Sequence, residues 1–334
     1  MRANTCVAAA ASCQPNHQWR QRPAGFGLLR LSLAARADYD GPMIDPPITS
    51  GEMLRLTVAA NAIQVPGAPN ALAGRLIEEM GFAAMYISGA AVSAGVLAMP
   101  DIGLFTLTEL AQQVNFLSAR VTIPVIVDAD TGFGDVANVC RTVVEIERAG
   151  AAAIQLEDQE LPKRCGHLPG KTLVSADAMA DKLRAAVAAR TDHQTVIIAR
   201  TDARAVEGFD SAVDRARKYI AAGADWIFPE ALTTRDEFAS FAAAIHSPSA
   251  PPDLQLLANM TEFGQSPLLT FDELAAIGFR VVIYPVTLLR VAMKAIESTL
   301  SILAVDGTQR DLLDLMQTRQ ELYELLDYDV DGRG

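Results

Sequence analysis

The sequence has no run of about 18 consecutive apolar residues, so it offers no membrane-spanning helix. Cysteine is scarce, with four in 334 residues: Cys6, Cys13, Cys140 and Cys165. None forms a CxxC pair or stands beside clustered histidines. That argues against a structural zinc site and a disulfide framework, and it fits a reducing, cytoplasmic setting. Positive charge is in deficit. A formal net charge of −12 leaves no domain-wide basic surface, so no nucleic-acid partner is expected. A Gly-rich phosphate loop after the first strand, the mark of open dinucleotide-binding sheets, is also missing.

Acidic residues are absent from Met1 to Ala37, where Arg2, Arg20, Arg22, Arg30 and Arg36 carry the charge. An Arg-rich, acid-poor start is the composition of an organellar transit peptide, which would place the protein in the mitochondrial matrix. A flexible tail, or translation from Met43, reads equally well. Residues 1–42 are therefore set apart from a single domain over residues 43–334.

Half of the residues are apolar, enough for a sizeable core. One pattern recurs in them: an amphipathic helix, a glycine, then a short apolar run that ends on a polar residue. It appears at Gly81 before Ala84 to Ser88, at Gly150 before Ala153 to Glu157, at Gly223 before Trp226 to Glu230, and at Gly278 before Val281 to Tyr284. Glycine suits the left-handed residue that ends a helix. The runs are too short for helices and read as buried parallel strands. Four more lie between them, from Ala62, Pro124, Val196 and Leu256. Eight strands alternating with helices predict a closed (β/α)₈ barrel. Chemistry in such a barrel sits where the C-terminal strand ends converge, and those ends carry Ser88, Asp128, Glu157, Arg200, Glu230 and Asn259.

Three motifs fall on these ends. Asp128-Ala129-Asp130-Thr131-Gly132 leaves strand three, and Glu157 ends the next strand. An all-oxygen, partly open set of this kind suits Mg²⁺; capping of the next helix, or pairing with Arg200, is the plainer alternative. Lys163-Arg164-Cys165-Gly166-His167-Leu168-Pro169-Gly170-Lys171 is too polar for core. Its cations are placed to stabilise a thiolate on Cys165, which leaves that residue open as proton donor or nucleophile. The loop reads as a lid over the barrel mouth. Arg200, Arg290 and Arg319 are candidate carboxylate forks, although an arginine on a helix is more often a solvated ion pair.

The KRCGH, VDADTGFG, IQLEDQ and ARTDA runs resemble the isocitrate lyase and phosphoenolpyruvate mutase superfamily, and within it the methylisocitrate lyase branch. The resemblance extends from about Met53 to the end of the chain. It implies a TIM-type barrel whose last helix is swapped between subunits of a homotetramer. It further implies retro-aldol cleavage of a small carboxylate, (2S,3R)-2-methylisocitrate, into pyruvate and succinate. Asp128, Asp130 and Glu157 would hold Mg²⁺. Tyr86 would act as base and Cys165 as acid. Substrate would be lined by Ser88, Gly89, Ala90, Asp101, Cys165, Gly166, His167, Arg200, Glu230, Asn259, Met260, Thr261, Arg290 and Arg319. Ala90 replaces a frequent glycine, and Leu168-Pro169-Gly170 departs from the usual lid. Phe228 stands where the longer isocitrate lyases carry tryptophan, leaving room for an extra methyl. Lyases of isocitrate or 2,3-dimethylmalate, and phosphonopyruvate mutases or hydrolases, are the rival readings.

Overall fold

The computed structural model describes residues 48–248 and 250–329. The reading of residues 1–42 as tail or targeting segment lies outside the described residues.

Eight parallel strands form one sheet: β1 (Ile63–Pro66), β2 (Met85–Ile87), β3 (Val125–Asp128), β4 (Ala153–Glu157), β5 (Val196–Thr201), β6 (Trp226–Pro229), β7 (Gln255–Asn259) and β8 (Phe279–Tyr284). Their order is β1-β8-β7-β6-β5-β4-β3-β2. A parallel bridge between Gly67 and Tyr86, with the Ala68 N–H donating to the Tyr86 carbonyl at 2.8 Å, joins β1 to β2 and closes the ring. This is the predicted (β/α)₈ barrel, and every strand overlaps the apolar run that announced it. The helix-ending glycines behave as expected, with Gly150 and Gly278 at φ +105° and +114°.

Strand parity divides the core in two. Ile63, Val65, Tyr86, Ile126, Ala153, Val196, Ile198, Trp226, Phe228, Leu257, Val281 and Ile283 pack together inside the barrel. Their neighbours Met85, Val125, Val127, Ile154, Leu156, Ile197, Ile227, Leu256, Ala258 and Val282 pack outward, under the helices. Extending the inward parity brings Ser88, Asp128, Gln155, Glu157, Arg200, Glu230 and Asn259 to the barrel axis. It sends Met260 outward, where it is 3% exposed among the helix-facing residues. Met260 is therefore not delivered to the mouth, contrary to the sequence-based expectation.

The helix Ser50–Ala60 precedes β1, and its Leu54 and Val58 pack with the inward-facing residues. At the other end of the chain, the helix Thr287–Asp306 buries none of its residues and exposes Val291, Met293, Ile296, Leu300 and Val305. No helix among the described residues is long and apolar enough to cross a membrane.

Leu54→Ala removes a fully buried side chain from the inner core. It is expected to cost about 2–5 kcal/mol, read as a lower denaturation midpoint. An unchanged midpoint would show that this helix contributes no core packing.

Candidate active site

The strand ends and the loops that follow them line a cleft. Tyr86, Ser88, Ala90, Asp101, Asp128, Cys165, Gly166, His167, Arg200, Glu230, Asn259, Thr261 and Arg290 are brought together on it. Phe228 borders it too, with the Arg200 guanidinium 5.2 Å above its ring. Arg319 does not. It lies with Tyr323 and Tyr328 in a separate surface hollow, on the short helix Arg319–Leu325.

Arg200 sits at the centre of the charges. Its Nε is 2.9 Å from Asp202 Oδ2 and 3.2 Å from Glu157 Oε2, and its Nη2 is 3.3 Å from Glu230 Oε2. Burial opposes its charge, but Asp202, Glu157 and Glu230 more than offset that and hold it protonated. Glu230 gains in return. Burial works against its charge as well, yet Arg200 and His167 keep its carboxyl down at about 2. The Ala231 N–H and the Asn259 amide also donate to Glu230, at 2.9 and 3.3 Å.

The VDADTGFG loop turns through left-handed backbone at Asp130, φ +47°, a conformation that aspartate tolerates better than most residues. Asp128 accepts from the Gly89 N–H at 3.2 Å, the Asp130 N–H at 3.1 Å and the Gln155 amide at 3.2 Å. Tyr86 donates to Gln155 at 2.9 Å, so phenol, amide and carboxylate form a chain. Burial, and then the charge of Asp128, push the Tyr86 phenol well above its usual range. Asp130 and Glu157 are buried behind the cleft wall, and Asp130 Oδ2 and Glu157 Oε1 have no hydrogen-bond partner. Burial raises both carboxyls, Asp130 to about 7. Among the described residues no three His, Cys, Asp or Glu side chains are gathered into a ready-made metal cage. A cation here would take one or two carboxylates and complete its shell with water or substrate, as Mg²⁺ does. The unpartnered carboxylate oxygens fit that arrangement.

The lid reading of the KRCGH loop holds in position and fails in charge. Cys165, Gly166 and His167 do reach the cleft, but the cations beside Cys165 in sequence serve other partners. Lys163 pairs with Asp101, and with Asp130 at 2.8 Å. Arg164 donates to the Pro169 carbonyl at 3.3 Å, and Lys171 is 2.8 Å from Asp202. His167 Nδ1 accepts from the Gln265 N–H at 3.0 Å, which puts the ring proton on Nε2, 3.1 Å from Glu230 Oε1. No cation of the loop is left for a thiolate. Burial pushes the Cys165 thiol up, against smaller pulls from the His167 N–H and Arg200. The thiol keeps its proton, which favours proton donor over nucleophile. Three residues important here had no assigned role in the sequence reading: Gln155, Asp202, and Lys163 as neutraliser of Asp130. A glutamine inside a buried strand was the one visible signal.

The phosphoenolpyruvate phosphomutase family profile matches residues 53–304. The chain belongs to the phosphoenolpyruvate mutase and isocitrate lyase superfamily. Within it, the chain is 50% identical over 290 residues to the 2-methylisocitrate lyase of Aeropyrum pernix, covering 87% of this chain and 90% of that one. Among solved structures of the superfamily, 2,3-dimethylmalate lyase aligns with a TM-score of 0.78 and 35% identity, over 84% of this chain and 93% of the other. Phosphonopyruvate hydrolase in complex with oxalate and Mg²⁺ aligns with a TM-score of 0.73 and 31% identity, over 84% and 95%.

The raised Asp130 carboxyl has a pH consequence. In the unfolded chain it ionises near the ordinary value of about 4, while the folded protein holds that proton up to about 7. Asp130 therefore costs the metal-free fold stability as pH rises through that window, and little below it. Asp130→Asn is expected to raise the melting temperature of the metal-free protein at about pH 8 and to leave it almost unchanged near about pH 4. Equal shifts at both pH values would overturn the assignment.

Proposed function

We propose that this protein is a Mg²⁺-dependent lyase that cleaves (2S,3R)-2-methylisocitrate into pyruvate and succinate. The observation that carries the reading is Cys165 on the same cleft as Arg200, Asp128 and Tyr86. The 50% identity to a 2-methylisocitrate lyase supports the choice of substrate.

The cleft is lined by the carboxylates Asp101, Asp128 and Glu230 and by the cations Lys163, Arg164, Arg200 and Arg290. Lys163, Arg200 and Arg290 are each already paired with a carboxylate, so further positive charge would help to hold a tricarboxylate. Asp128 and Asp130 would hold Mg²⁺, directly or through water, with Glu157 close behind. When bound, the ion would polarise the substrate's hydroxyl and adjoining carboxylate and offset the negative charge that opposes ionisation of Tyr86.

The protein's own groups then have separable tasks. Tyr86 would be the base as a phenolate, its own proton first lost to solvent beside the bound ion, and would then accept the proton of the substrate hydroxyl. In the resting phenol Gln155 fixes the direction of its oxygen. The carbon–carbon bond breaks, its electrons pass to the carboxylate-bearing carbon of the succinate half, and the hydroxyl carbon becomes the carbonyl of pyruvate. Arg200 stands in the cleft to stabilise the enediolate-like fragment. Cys165 gives its proton to that carbon. Ser88, Ala90, Asn259, Thr261 and Arg290 hold the remaining carboxylates, and the Gly89 amide keeps Asp128 in place.

Cys165→Ser replaces the donor with a much weaker acid. It is expected to lower kcat by about 10²–10⁴-fold with KM little changed, measured as pyruvate release with Mg²⁺. Chelation should abolish the same activity and added Mg²⁺ restore it. Isocitrate and 2,3-dimethylmalate belong in that assay, because one methyl group is worth only about 1–3 kcal/mol of discrimination. Faster turnover of either would move the assignment to that substrate, and turnover of phosphonopyruvate alone would remove the lyase reading.

The helix Thr287–Asp306 supports a homotetramer with that helix swapped onto a neighbouring subunit, since its apolar residues are left uncovered among the described residues. Arg319, which follows it, would then serve a neighbour's cleft. Leu300→Glu is expected to shift the assembly to smaller species by light scattering. A wild-type protein that is monomeric at micromolar concentration would sink the proposal.

A further inference from the structure

Lys171 is a buried cation that the chemistry above does not use. Its side chain is 1% exposed, and its ammonium donates to the Gly166 carbonyl and to Asp202 Oδ1, the latter at 2.8 Å. We propose that Lys171 is a positioning residue that pins the Cys165 loop to the barrel. This rests on Cys165 being the proton donor.

Both ends of the tie are fixed. On the barrel side, Asp202 also binds Arg200 through Nε at 2.9 Å and Nη2 at 3.2 Å, and its N–H donates to Asp158 at 2.9 Å. Asp158 is anchored in turn by Thr201 at 2.8 Å, Tyr219 at 2.7 Å and Arg215. On the loop side, Gly166 directly follows Cys165 and lies against the Arg200–Glu230 pair. A Cβ there would stand 2.4 Å from both Arg200 Nη2 and Glu230 Cγ. The base of the loop is closed by a bridge between Gln159 and Leu173, and by the Glu160 N–H on the Thr172 carbonyl at 2.9 Å. Lys171 stands at that base and reaches back to the tip. The loop has other ties to the barrel side, from Lys163 to Asp101 and Asp130, from His167 Nε2 to Glu230 at 3.1 Å, and from the Gln265 amide to the His167 carbonyl at 2.9 Å. The Lys171 bond differs from these in holding the Gly166 carbonyl, the backbone directly after Cys165, and it is buried and charge-assisted.

The test is Lys171→Met, which keeps length and removes the charge. Alkylation of Cys165 by iodoacetamide, followed by mass mapping of its peptide in the substrate-free protein, is expected to run several-fold faster than in wild type. Circular dichroism should be unchanged at that temperature. With 2-methylisocitrate and Mg²⁺, kcat should fall by about 10²-fold while KM changes little. If Lys171→Met does not fold, Asp202→Asn, which weakens the same tie, takes its place with the same expected acceleration. Wild-type alkylation rates in the folded variants would overturn the proposal. Because alkylation needs neither substrate nor metal, the loop assignment and the lyase reading can fail separately.

Discussion

The structure of the cleft depends on keeping one guanidinium ionised inside a barrel. Arg200 is 8% exposed, and a buried unpaired charge would cost several kcal/mol. Three carboxylates from different segments, Glu157, Asp202 and Glu230, converge to prevent that. Their convergence organises most of the rest. Glu230 then engages His167, Asp202 engages Lys171, and both draw the Cys165 loop down onto the strand ends. Gly166 is the contact between loop and pair, and no side chain fits there without displacing one partner.

The same neutralisation explains why the carboxylates further along are left short of partners. Among the described residues Lys163 alone pairs with Asp101 and Asp130, while Glu157 has one oxygen on Arg200 and no hydrogen-bond partner for the other. Carboxylate oxygens left in this way fit the proposed divalent ion.

Much of this was legible in the sequence, for a physical reason. Parallel strands buried on both faces are short apolar runs, and their polar last residues stand out. Ser88, Asp128, Glu157, Arg200, Glu230 and Asn259 were readable in that way. Parity within the runs was not, because both faces are apolar and a period of two leaves no contrast. Met260 entered through the family resemblance and not through the pattern; it follows an inward asparagine, so its side chain points outward. The charge state of Cys165 failed for another. Four cations close in sequence suggested a thiolate, but their partners, Asp101, Asp130, Pro169, Asp202 and Glu230, come largely from distant parts of the chain. Proximity in sequence says which charges are near a thiol and not which of them are free. Arg319 lies on a helix beyond the barrel, where one chain supplies no surroundings for it to be read against.

The protonated thiol carries one more consequence. Peroxides and electrophiles act on thiolates, and a thiol that keeps its proton reacts with them slowly. The arrangement that leaves Cys165 its proton therefore also shelters it from chemical damage. No resolving partner stands by either: among the described residues the only other free cysteine, Cys140, sits apart in the helix Val136–Arg148. Redox durability here comes from the same burial that sets the acidity.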